Sequence, residues 1–479
     1  MELDWQTCSR ARIARDPRFD GKFFIAVLTT RIYCRSICPA RTSKESNVRY
    51  YSTAAAAAES GFRPCLRCRP ECSPGTPAWV GTPNTVSRAL RLLNEEGLEE
   101  GGVESLAERL GIGARHLRRL FLKHLGASPR AVAQTRRLHF AKQLIDETSL
   151  PMYEVALASG FGCVRRFNAA IVGAYHRTPS QIRSLARKAE VQPEDEYVFR
   201  LHYRPPYHWR GMLAFLAARA TPGVERVEDG RYLRTIFLNG HEGHIEIAHD
   251  EEQKLLVARV QFPDTRALYQ ITERIRAIFD LNADWTAIAS NLKSDPLLAK
   301  RLQLKTGMRV PGCWDGFELA VRAVLGQQIS VAAATNVAGQ LTTRFGRVLK
   351  KANGLTHLFP LPEQLATLRC DAMPMPKKRA ETVRALARAV CDGKLKFHDV
   401  ESAEAFRASL CAISGIGDWT AQYVAMRALG EPDAFPSADL GLLRALDAKS
   451  AGEVERRAEG WRPWRAYATI YLWTAGHGD

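Results

Sequence analysis

At 479 residues the chain is too long for one ordinary hydrophobic core, and its 46% hydrophobic and 25% charged residues predict a soluble globular protein of about three or four domains. Its net charge is +17, and residues 1–190, with 30 basic and 17 acidic side chains, carry most of it. Such a balance is typical of a protein with a polyanionic partner, usually nucleic acid, but charge alone does not separate this from the alternative of a basic housekeeping enzyme. No apolar run is long enough to span a membrane and the first residues do not form a signal sequence, so we expect no membrane partner and a cytoplasmic, reducing compartment, where eleven cysteines favour metal or thiol chemistry over disulfides.

The first predicted domain, residues 1–75, contains two close cysteine pairs, which are Cys34 with Cys38 and Cys65 with Cys68. Four thiolates on two short loops suit one tetrahedral zinc ion. Spacing alone favours structural zinc, with reactive thiol chemistry as the alternative. A Pro/Gly-rich joint at 73–77 ends this part of the chain.

The residues around these cysteines closely resemble the N-terminal domain of the Ada adaptive-response family, from Phe23 to Arg41 and again from Gly61 to Pro70. The resemblance covers nearly all of residues 5–75 and implies a small zinc-bound α+β domain. It further implies that Cys34 accepts a methyl group from a DNA methylphosphotriester. Methylation of one thiolate makes the zinc centre less negative, so DNA affinity is expected to rise.

Two basic residues of this domain, Arg35 and Arg41, are predicted to contact DNA. Pro39 departs from the family pattern, in which a basic residue is expected, and this puts one phosphate contact in doubt.

Residues 84–188 form the second predicted domain, which is all helical because its apolar residues recur at helical spacing. Two stretches, 103–121 and 152–167, each fit a helix, a glycine turn and a second helix. Gly160-Phe161, Arg166-Phe167 and the run 175–180 resemble the AraC/XylS regulators, which implies DNA binding; an ordinary bundle with solvated arginines is the alternative. The arginines predicted to reach phosphates or guanine edges are Arg115, Arg118, Arg119, Arg165 and Arg166.

From residue 197 the hydrophobic period changes to the alternation of strands, with one helix predicted at 209–220. Residues 197–285 are therefore predicted to be an α+β module with an antiparallel sheet. Four strands are predicted, at 197–203, 232–238, 243–248 and 255–260.

Residues 286–479 are predicted to be all helical and contain two apolar helices joined by a Gly415-Ile-Gly417 turn. Glycines at such a turn let the backbone approach a phosphate, with the amides of a helix N-terminus facing the anion. Asp439 follows about twenty residues later, at the start of an apolar helix. The combination resembles the AlkA-type 3-methyladenine glycosylases of the helix-hairpin-helix superfamily, over roughly 197–477.

That resemblance implies that Asp439 is the catalytic carboxylate facing the anomeric carbon of a flipped nucleotide; a helix N-cap is the plain alternative, and the two are compatible. It also implies a pocket for cationic alkylated purines, recognised by stacking worth ~1–2 kcal/mol, with core packing of the aromatic residues as the alternative. The residues predicted for this pocket are Trp419, Tyr423, Trp473 and Gln327.

Three finer expectations concern the same half. Trp419 stands where lyase-active relatives carry a lysine, so we expect a monofunctional glycosylase. Gln328 takes the DNA-inserting position that is often leucine in these enzymes, which puts the mode of base expulsion in doubt. The backbone carbonyls predicted to hold a monovalent cation are those of Cys411, Ile413 and Ile416.

The sequence thus predicts a fusion of methyl-accepting sensor, promoter-binding activator and base-excision enzyme, with Zn²⁺ as cofactor and double-stranded DNA and RNA polymerase as partners. No Pro-Cys-His-Arg element occurs, so no transfer of methyl groups from O6-methylguanine is expected. Two other interpretations stay open: a pure regulator with a degenerate glycosylase half, and an N-terminal half whose structural zinc only tethers the enzyme to DNA.

Overall fold

The computed structural model describes residues 4–75, 84–95, 102–185, 193, 195–349, 354–397, 400 and 402–474. They form two compact units. Unit 1 takes its residues from 1–205, 250–273 and 281–283, and unit 2 from 206–249, 274–280 and 284–479. Across the described residues, no helix combines the length and the apolar character needed to cross a membrane.

Unit 1 begins with a four-stranded sheet flanked by two helices. Its order is β3-β1-β2-β4, antiparallel except for the parallel pair of β2 and β4. The central strand is apolar on both faces, since Ile25 packs with Cys8 of the first helix and Phe24 packs with Ala57 of the second. The elements are α1 Trp5–Ala14, β1 Phe24–Val27, β2 Ile32–Cys34, β3 Val48–Tyr51, α2 Ala54–Glu59 and β4 Arg63–Pro64.

Seven helices follow, and they confirm the all-helical prediction for the described part of 84–188. The two predicted helix-turn-helix stretches correspond to the pairs α4–α5 and α7–α8. Each pair turns at a glycine with positive φ, Gly111 at 68° and Gly160 at 75°. The helices are α3 Asn84–Glu95, α4 Gly102–Arg109, α5 Ala114–Leu125, α6 Pro129–Glu147, α7 Met152–Ala158, α8 Val164–Tyr175 and α9 Pro179–Leu185.

Buried ion pairs join the end of the cysteine-containing part to helix α6. Arg69 lies 3.2 Å from Glu147 and 3.1 Å from Asp146, and Lys142 of α6 lies 3.4 Å from Glu71. The three carboxylates of this network, Glu71, Asp146 and Glu147, are almost wholly excluded from solvent. Losing Arg69 would therefore leave the buried Glu147 without its ion-pair partner.

The predicted strands are present, and one more strand accompanies them. In unit 1, β5 pairs antiparallel with β9; in unit 2, β7 pairs antiparallel with both β6 and β8. The additional strand is β6, a short Glu-Arg-Val-Glu segment with only one apolar residue. The helix predicted at 209–220 is present as α10 and ends three residues earlier than predicted. The elements are β5 Glu196–His202, α10 Trp209–Ala217, β6 Glu225–Glu228, β7 Arg231–Leu238, β8 His241–Asp250 and β9 Leu255–Gln261.

The rest of unit 2 is helical around one nearly buried helix, α14, whose N-terminus is capped by the Asp315 side chain accepting from Glu318 N at 2.8 Å. Helices α15, α17 and α19 pack on α14, and α18 packs on α19. The helices after β9 in the chain, of which α11 begins in unit 1, are α11 Leu268–Ile278, α12 Trp285–Leu292, α13 Pro296–Leu304, α14 Gly316–Leu325, α15 Val331–Phe345, α16 Pro362–Thr367, α17 Lys377–Cys391, α18 Ala403–Cys411, α19 Asp418–Ala428, α20 Leu440–Ala445, α21 Ala451–Ala458 and α22 Arg465–Trp473.

Candidate functional site

The predicted hairpin lies between α18 and α19, and its turn is closely packed. Gly415 has a φ of 90°, and a Cβ there would lie 2.1 Å from Thr382 Oγ1, which itself donates to Ser414 O at 3.0 Å. Gly417 is the N-cap of α19 in an extended conformation. Only glycine fits at 415, and the exposed amides at the start of α19 can face a phosphate.

The two glutamines after α14 differ in placement. Gln327 Nε2 donates to Gly415 O at 2.9 Å and to Thr420 Oγ1 at 3.1 Å. The Gln327 side chain, which we expected in the base pocket, therefore holds the hairpin turn. Gln328 is exposed and has a φ of 59°, a left-handed conformation that is uncommon for residues other than glycine.

Asp439 is the N-cap of α20 and is held by two indole groups. Its Oδ1 accepts from Leu442 N at 3.0 Å and from Trp473 Nε1 at 2.8 Å, and its Oδ2 accepts from Trp419 Nε1 at 2.9 Å. The carboxylate is partly exposed. The cap and the site are thus one feature, because the backbone amide and the two indoles fix the same carboxylate.

The predicted aromatic residues lie together beside this carboxylate. Trp419 and Tyr423 are stacked, with ring centroids 5.4 Å apart and planes 6° apart. The Trp473 ring lies 6.1 Å from that of Tyr423, at 47°. All three side chains are partly exposed, so they line a surface that a planar base can contact as well as packing on each other.

Arg427 is a residue of this site that the sequence analysis missed. It is buried, and it donates to Tyr423 OH at 2.6 Å and to the carbonyls of Pro311 and Gly312, both at 2.8 Å. Burial favours a high pKa for Tyr423, but the charges of Arg427 and Arg219 outweigh it and lower the pKa below its ordinary value. In the sequence, an arginine four residues after Tyr423, on the apolar face of α19, could have indicated a partner for the Tyr423 hydroxyl.

Gly441 is a second missed residue. A Cβ there would meet Asp439 Oδ1 at 2.9 Å and Trp473 Cδ1 at 3.2 Å. The absence of a side chain at this position lets the indole and the carboxylate approach each other. In sequence, a glycine one residue inside an apolar helix was the signal.

The carbonyls predicted for a monovalent cation surround the hairpin turn. Ile413 O accepts from Ile416 N at 3.0 Å, so one of the three already has a backbone partner. The cation site stays a prediction.

In unit 1, the sulfur atoms of Cys34, Cys38, Cys65 and Cys68 lie within 4.8 Å of one another. A tetrahedral zinc–thiolate centre needs sulfurs about 3.8 Å apart, so the four-thiol cluster fits Zn²⁺. Hydrogen bonding with Cys38 raises the pKa of Cys34, and hydrogen bonding with Cys34 lowers the pKa of Cys65, as expected of thiols sharing one cluster. Cys34 and Cys38 are partly exposed, whereas the other two are buried.

The arginines predicted to contact DNA beside this cluster are placed differently from each other. Arg41 is exposed. Arg35 is instead buried, with Nε 2.9 Å from Asp20 Oδ1, Nη1 3.2 Å from Cys68 O, and its own backbone N 3.4 Å from Cys68 Sγ. Arg35 therefore supports the thiol cluster from inside and is not available to a phosphate.

The five helix-turn-helix arginines are all exposed, on α5 and α8. Arg118 pairs with Glu104 at 2.8 Å, and Arg119 Nη2 lies 2.9 Å from His116 Nδ1. An exposed ion pair contributes little stability, so Arg118 can exchange Glu104 for a phosphate.

These sites share one kind of partner. A helix hairpin that offers backbone amides to a phosphate, two helix-turn-helix units and a thiol cluster beside exposed arginines define a DNA-binding protein with a glycosylase-type half.

Comparison with known proteins agrees with that class. Family models match three segments: the metal-binding domain of Ada at residues 7–71, a helix-turn-helix domain at 106–184 and the AlkA N-terminal domain at 198–315. A relative from Mycobacterium tuberculosis, a probable bifunctional transcriptional activator/DNA repair enzyme AlkA, is 42% identical over 99% of this chain and 97% of its own length. The chain therefore belongs to the family of bifunctional transcriptional activator/DNA repair enzymes.

Two further relatives concern the C-terminal half. DNA-3-methyladenine glycosylase 2 of Escherichia coli is 31% identical over 58% of this chain and 96% of its own length. The structure of the 3-methyladenine DNA glycosylase from Archaeoglobus fulgidus superposes with a TM-score of 0.51, at 23% identity, over 57% of this chain and 97% of that one. The latter similarity supports the fold.

Proposed function

We propose that the C-terminal half hydrolyses the N-glycosidic bond of alkylated purines in DNA, of the 3-methyladenine and 7-methylguanine class, with Asp439 as the catalytic carboxylate. The observation that carries this proposal is the fixed position of Asp439 between two indole N–H donors, next to the stacked Trp419 and Tyr423. The identity with the Escherichia coli glycosylase supports the substrate class.

The chemistry follows from the charge of the carboxylate. As the bond to a cationic base breaks, positive charge moves to the sugar, and a fixed aspartate stabilises it or orients the attacking water. The aromatic faces favour the cationic base over its neutral parent. With tryptophan at position 419 in place of a lysine, no Schiff base forms there, so an abasic site is the product.

The test is release of 7-methylguanine or 3-methyladenine from duplex DNA by wild type and by Asp439→Asn. Asparagine keeps the helix cap and nearly the shape, so folding is retained while the charge is removed. We expect a loss of about two or more orders of magnitude. Release by the variant at the wild-type rate contradicts the role of Asp439; no release by the wild type contradicts the enzyme.

We further propose that Cys34 accepts methyl from DNA methylphosphotriesters. Cys34 is partly exposed, whereas Cys65 and Cys68 of the same cluster are buried. The thiolate attacks the methyl carbon, the new S–C bond forms as the C–O bond breaks, and the electron pair of that bond stays on the phosphate as a diester. A bound Zn²⁺ would keep the thiol deprotonated at neutral pH. The match to the metal-binding domain of Ada supports this role.

Methylation is proposed to switch on promoter binding through the exposed helix-turn-helix arginines, in a cytoplasmic protein that then engages RNA polymerase. The domains proposed for these roles are 1–75, 84–188, 197–285 and 286–479. The competing proposal for the first domain is a structural zinc module that only tethers the enzyme.

Peptide mapping of wild-type protein after incubation with methylphosphotriester DNA separates these two. A methyl group on Cys34 is expected, and Cys34→Ser should abolish it while Cys163→Ser, at an exposed thiol outside the cluster, should not. Methyl on another cysteine, or on none, contradicts the acceptor assignment.

A further inference from the structure

A cavity of about 590 Å³ opens beside the thiol cluster. Cys34, Cys38 and Cys65 form part of its wall. Another part comes from the second helix-turn-helix unit, through the segment between α8 and α9, where His176 and Arg177 line the same space. The candidate acceptor sulfur thus shares its cavity with residues about 140 positions later in the chain.

The described lining of this cavity carries cations and no carboxylate. Two of its arginines are engaged elsewhere, since Arg12 is paired with Glu45 and Arg15 donates to Ala40 O at 3.1 Å. The remaining four make no side-chain hydrogen bond or ion pair with the described residues, and these are Arg41, Arg63, Arg67 and Arg177. Unpaired guanidinium groups around a cavity favour a polyanion with several separated charges.

Two buried hydroxyl groups also lie on this cavity without a partner among the described residues. Ser36 is 1% exposed and Tyr175 is 1% exposed, and neither Ser36 Oγ nor Tyr175 OH has a hydrogen-bond partner. A buried hydroxyl without a partner costs about 1–3 kcal/mol, so a ligand oxygen in the cavity would relieve that cost.

The position of Arg177 is set by its neighbours. Helix α8 packs on strand β4 and ends at the buried Tyr175. His176 then takes a left-handed φ of 52°, with its N–H donating to Val172 O at 2.8 Å. This turn directs the exposed Arg177 along the cavity wall, and it is fixed because the preceding tyrosine is packed in the core.

A methylphosphotriester has no charge, so arginines cannot attract it directly; they can attract the charged phosphodiesters on either side of it. We propose that the methyl-acceptor site is shared between the cysteine domain and the second helix-turn-helix unit, with Arg177 binding a phosphodiester that flanks the methylated phosphate at Cys34. The inference rests on the proposed methyl acceptance by Cys34. It makes efficient transfer from duplex DNA depend on the α8–α9 segment.

The experiment compares wild type, Arg177→Ala and Arg177→Lys in the full chain, with duplex DNA carrying one methylphosphotriester. The second-order rate of methyl transfer is measured over a range of salt concentrations. Arg177→Ala is expected to be about tenfold slower at low salt, and its plot of log rate against log salt should be shallower by about 0.9, the loss of one phosphate contact. Arg177→Lys should keep most of the rate, since the charge remains.

Arg130→Ala is the matched control, because Arg130 is an exposed arginine of α6 that does not line the cavity. It should transfer methyl at the wild-type rate with the wild-type salt slope. Zinc content, measured for every variant, shows that the cluster is intact.

A dinucleotide with a single methylphosphotriester provides the second substrate, because it has no flanking phosphodiester. Arg177→Ala and wild type should accept the methyl group from this dinucleotide at the same slow rate. An unchanged rate and slope for Arg177→Ala on the duplex overturns the shared site, as does an equal loss on both substrates, which would place the effect in the fold. Absence of transfer to wild-type protein overturns the methyl-acceptor function instead.

Discussion

The two indole groups that hold Asp439 are expected to contribute unequally to base excision. Oδ1 has two donors, Trp473 Nε1 and Leu442 N, whereas Oδ2 has only Trp419 Nε1 among the described residues. Trp473→Phe therefore leaves Oδ1 with the Leu442 amide and Oδ2 with the Trp419 indole, so each oxygen keeps one donor. Trp419→Phe leaves Oδ2 without a donor among the described residues. In both variants an aromatic ring remains to pack against Tyr423.

The size of the effect follows from the kind of hydrogen bond. A bond to a charged acceptor contributes about 1.5–3 kcal/mol, which corresponds to about 10–150-fold in rate if all of it serves to position the carboxylate. We expect Trp419→Phe to lower the rate of base release within that range. Trp473→Phe should lower it about threefold to tenfold, since the amide of Leu442 still anchors Oδ1.

Single-turnover release of 7-methylguanine, with enzyme in excess over duplex DNA, isolates the chemical step from product release. Thermal unfolding of each variant, and Asp439→Asn measured in parallel, separate loss of fold from loss of catalysis. If Trp419→Phe is as fast as Trp473→Phe, or faster than wild type, the indoles mainly screen the negative charge, and the argument from positioning is wrong.

Three other substitutions test the packing beneath the site. Gly415→Ala should destabilise the hairpin by several kcal/mol and abolish DNA binding by unit 2, because a Cβ would lie 2.1 Å from Thr382 Oγ1 at a φ of 90°; circular dichroism and fluorescence anisotropy measure both. Arg427→Met should lower the free energy of unfolding by about 3 kcal/mol, since a phenol and two carbonyls lose a charged donor, and the melting temperature reports it. Asp280 is partly buried, and this desolvation raises its pKa from 3.8 to about 6 although the charge of Arg309 and a 2.7 Å hydrogen bond from Tyr467 OH oppose the rise. The folded state thus binds the proton of Asp280 more tightly than the unfolded state does, so wild type should lose about 3 kcal/mol of stability relative to Asp280→Asn as the pH rises from about 4 to about 6. Equal pH profiles of the two proteins in urea unfolding would contradict this.

The local patterns in the sequence were sufficient to locate the main chemical groups. Cysteine spacing predicted a four-thiol cluster, and the sulfurs do meet within 4.8 Å. The Gly415-Ile-Gly417 turn and Asp439 both lie where a helix begins or a hairpin turns, and such places are marked by short-range residue preferences. The two helix-turn-helix units followed from helical periodicity interrupted by glycine.

Local sequence patterns could not predict the roles of residues whose partners are distant in the chain. Whether Arg35 faces a phosphate or the interior is decided by Asp20 and Cys68, which approach it only in the folded chain. The family resemblance predicted Gln327 for the base pocket, but its side-chain amide donates to the Gly415 carbonyl and the Thr420 hydroxyl, which a local pattern does not reveal. Strand β6 escaped notice because its pairing with β7, rather than its own composition, makes it a strand.

A recombined protein that kept residues 4–75 but carried another sequence at helix α6 would lose the ion pairs between these two parts of the chain. Glu71, whose side chain is almost wholly excluded from solvent, would lose Lys142 and keep only Arg69. The partly exposed Arg69 would lose Asp146 and Glu147. The Pro/Gly-rich joint at 73–77 thus marks a change of composition in the sequence and not a point at which the halves can be exchanged freely. Shuffling between relatives would succeed only where these five side chains move as a set.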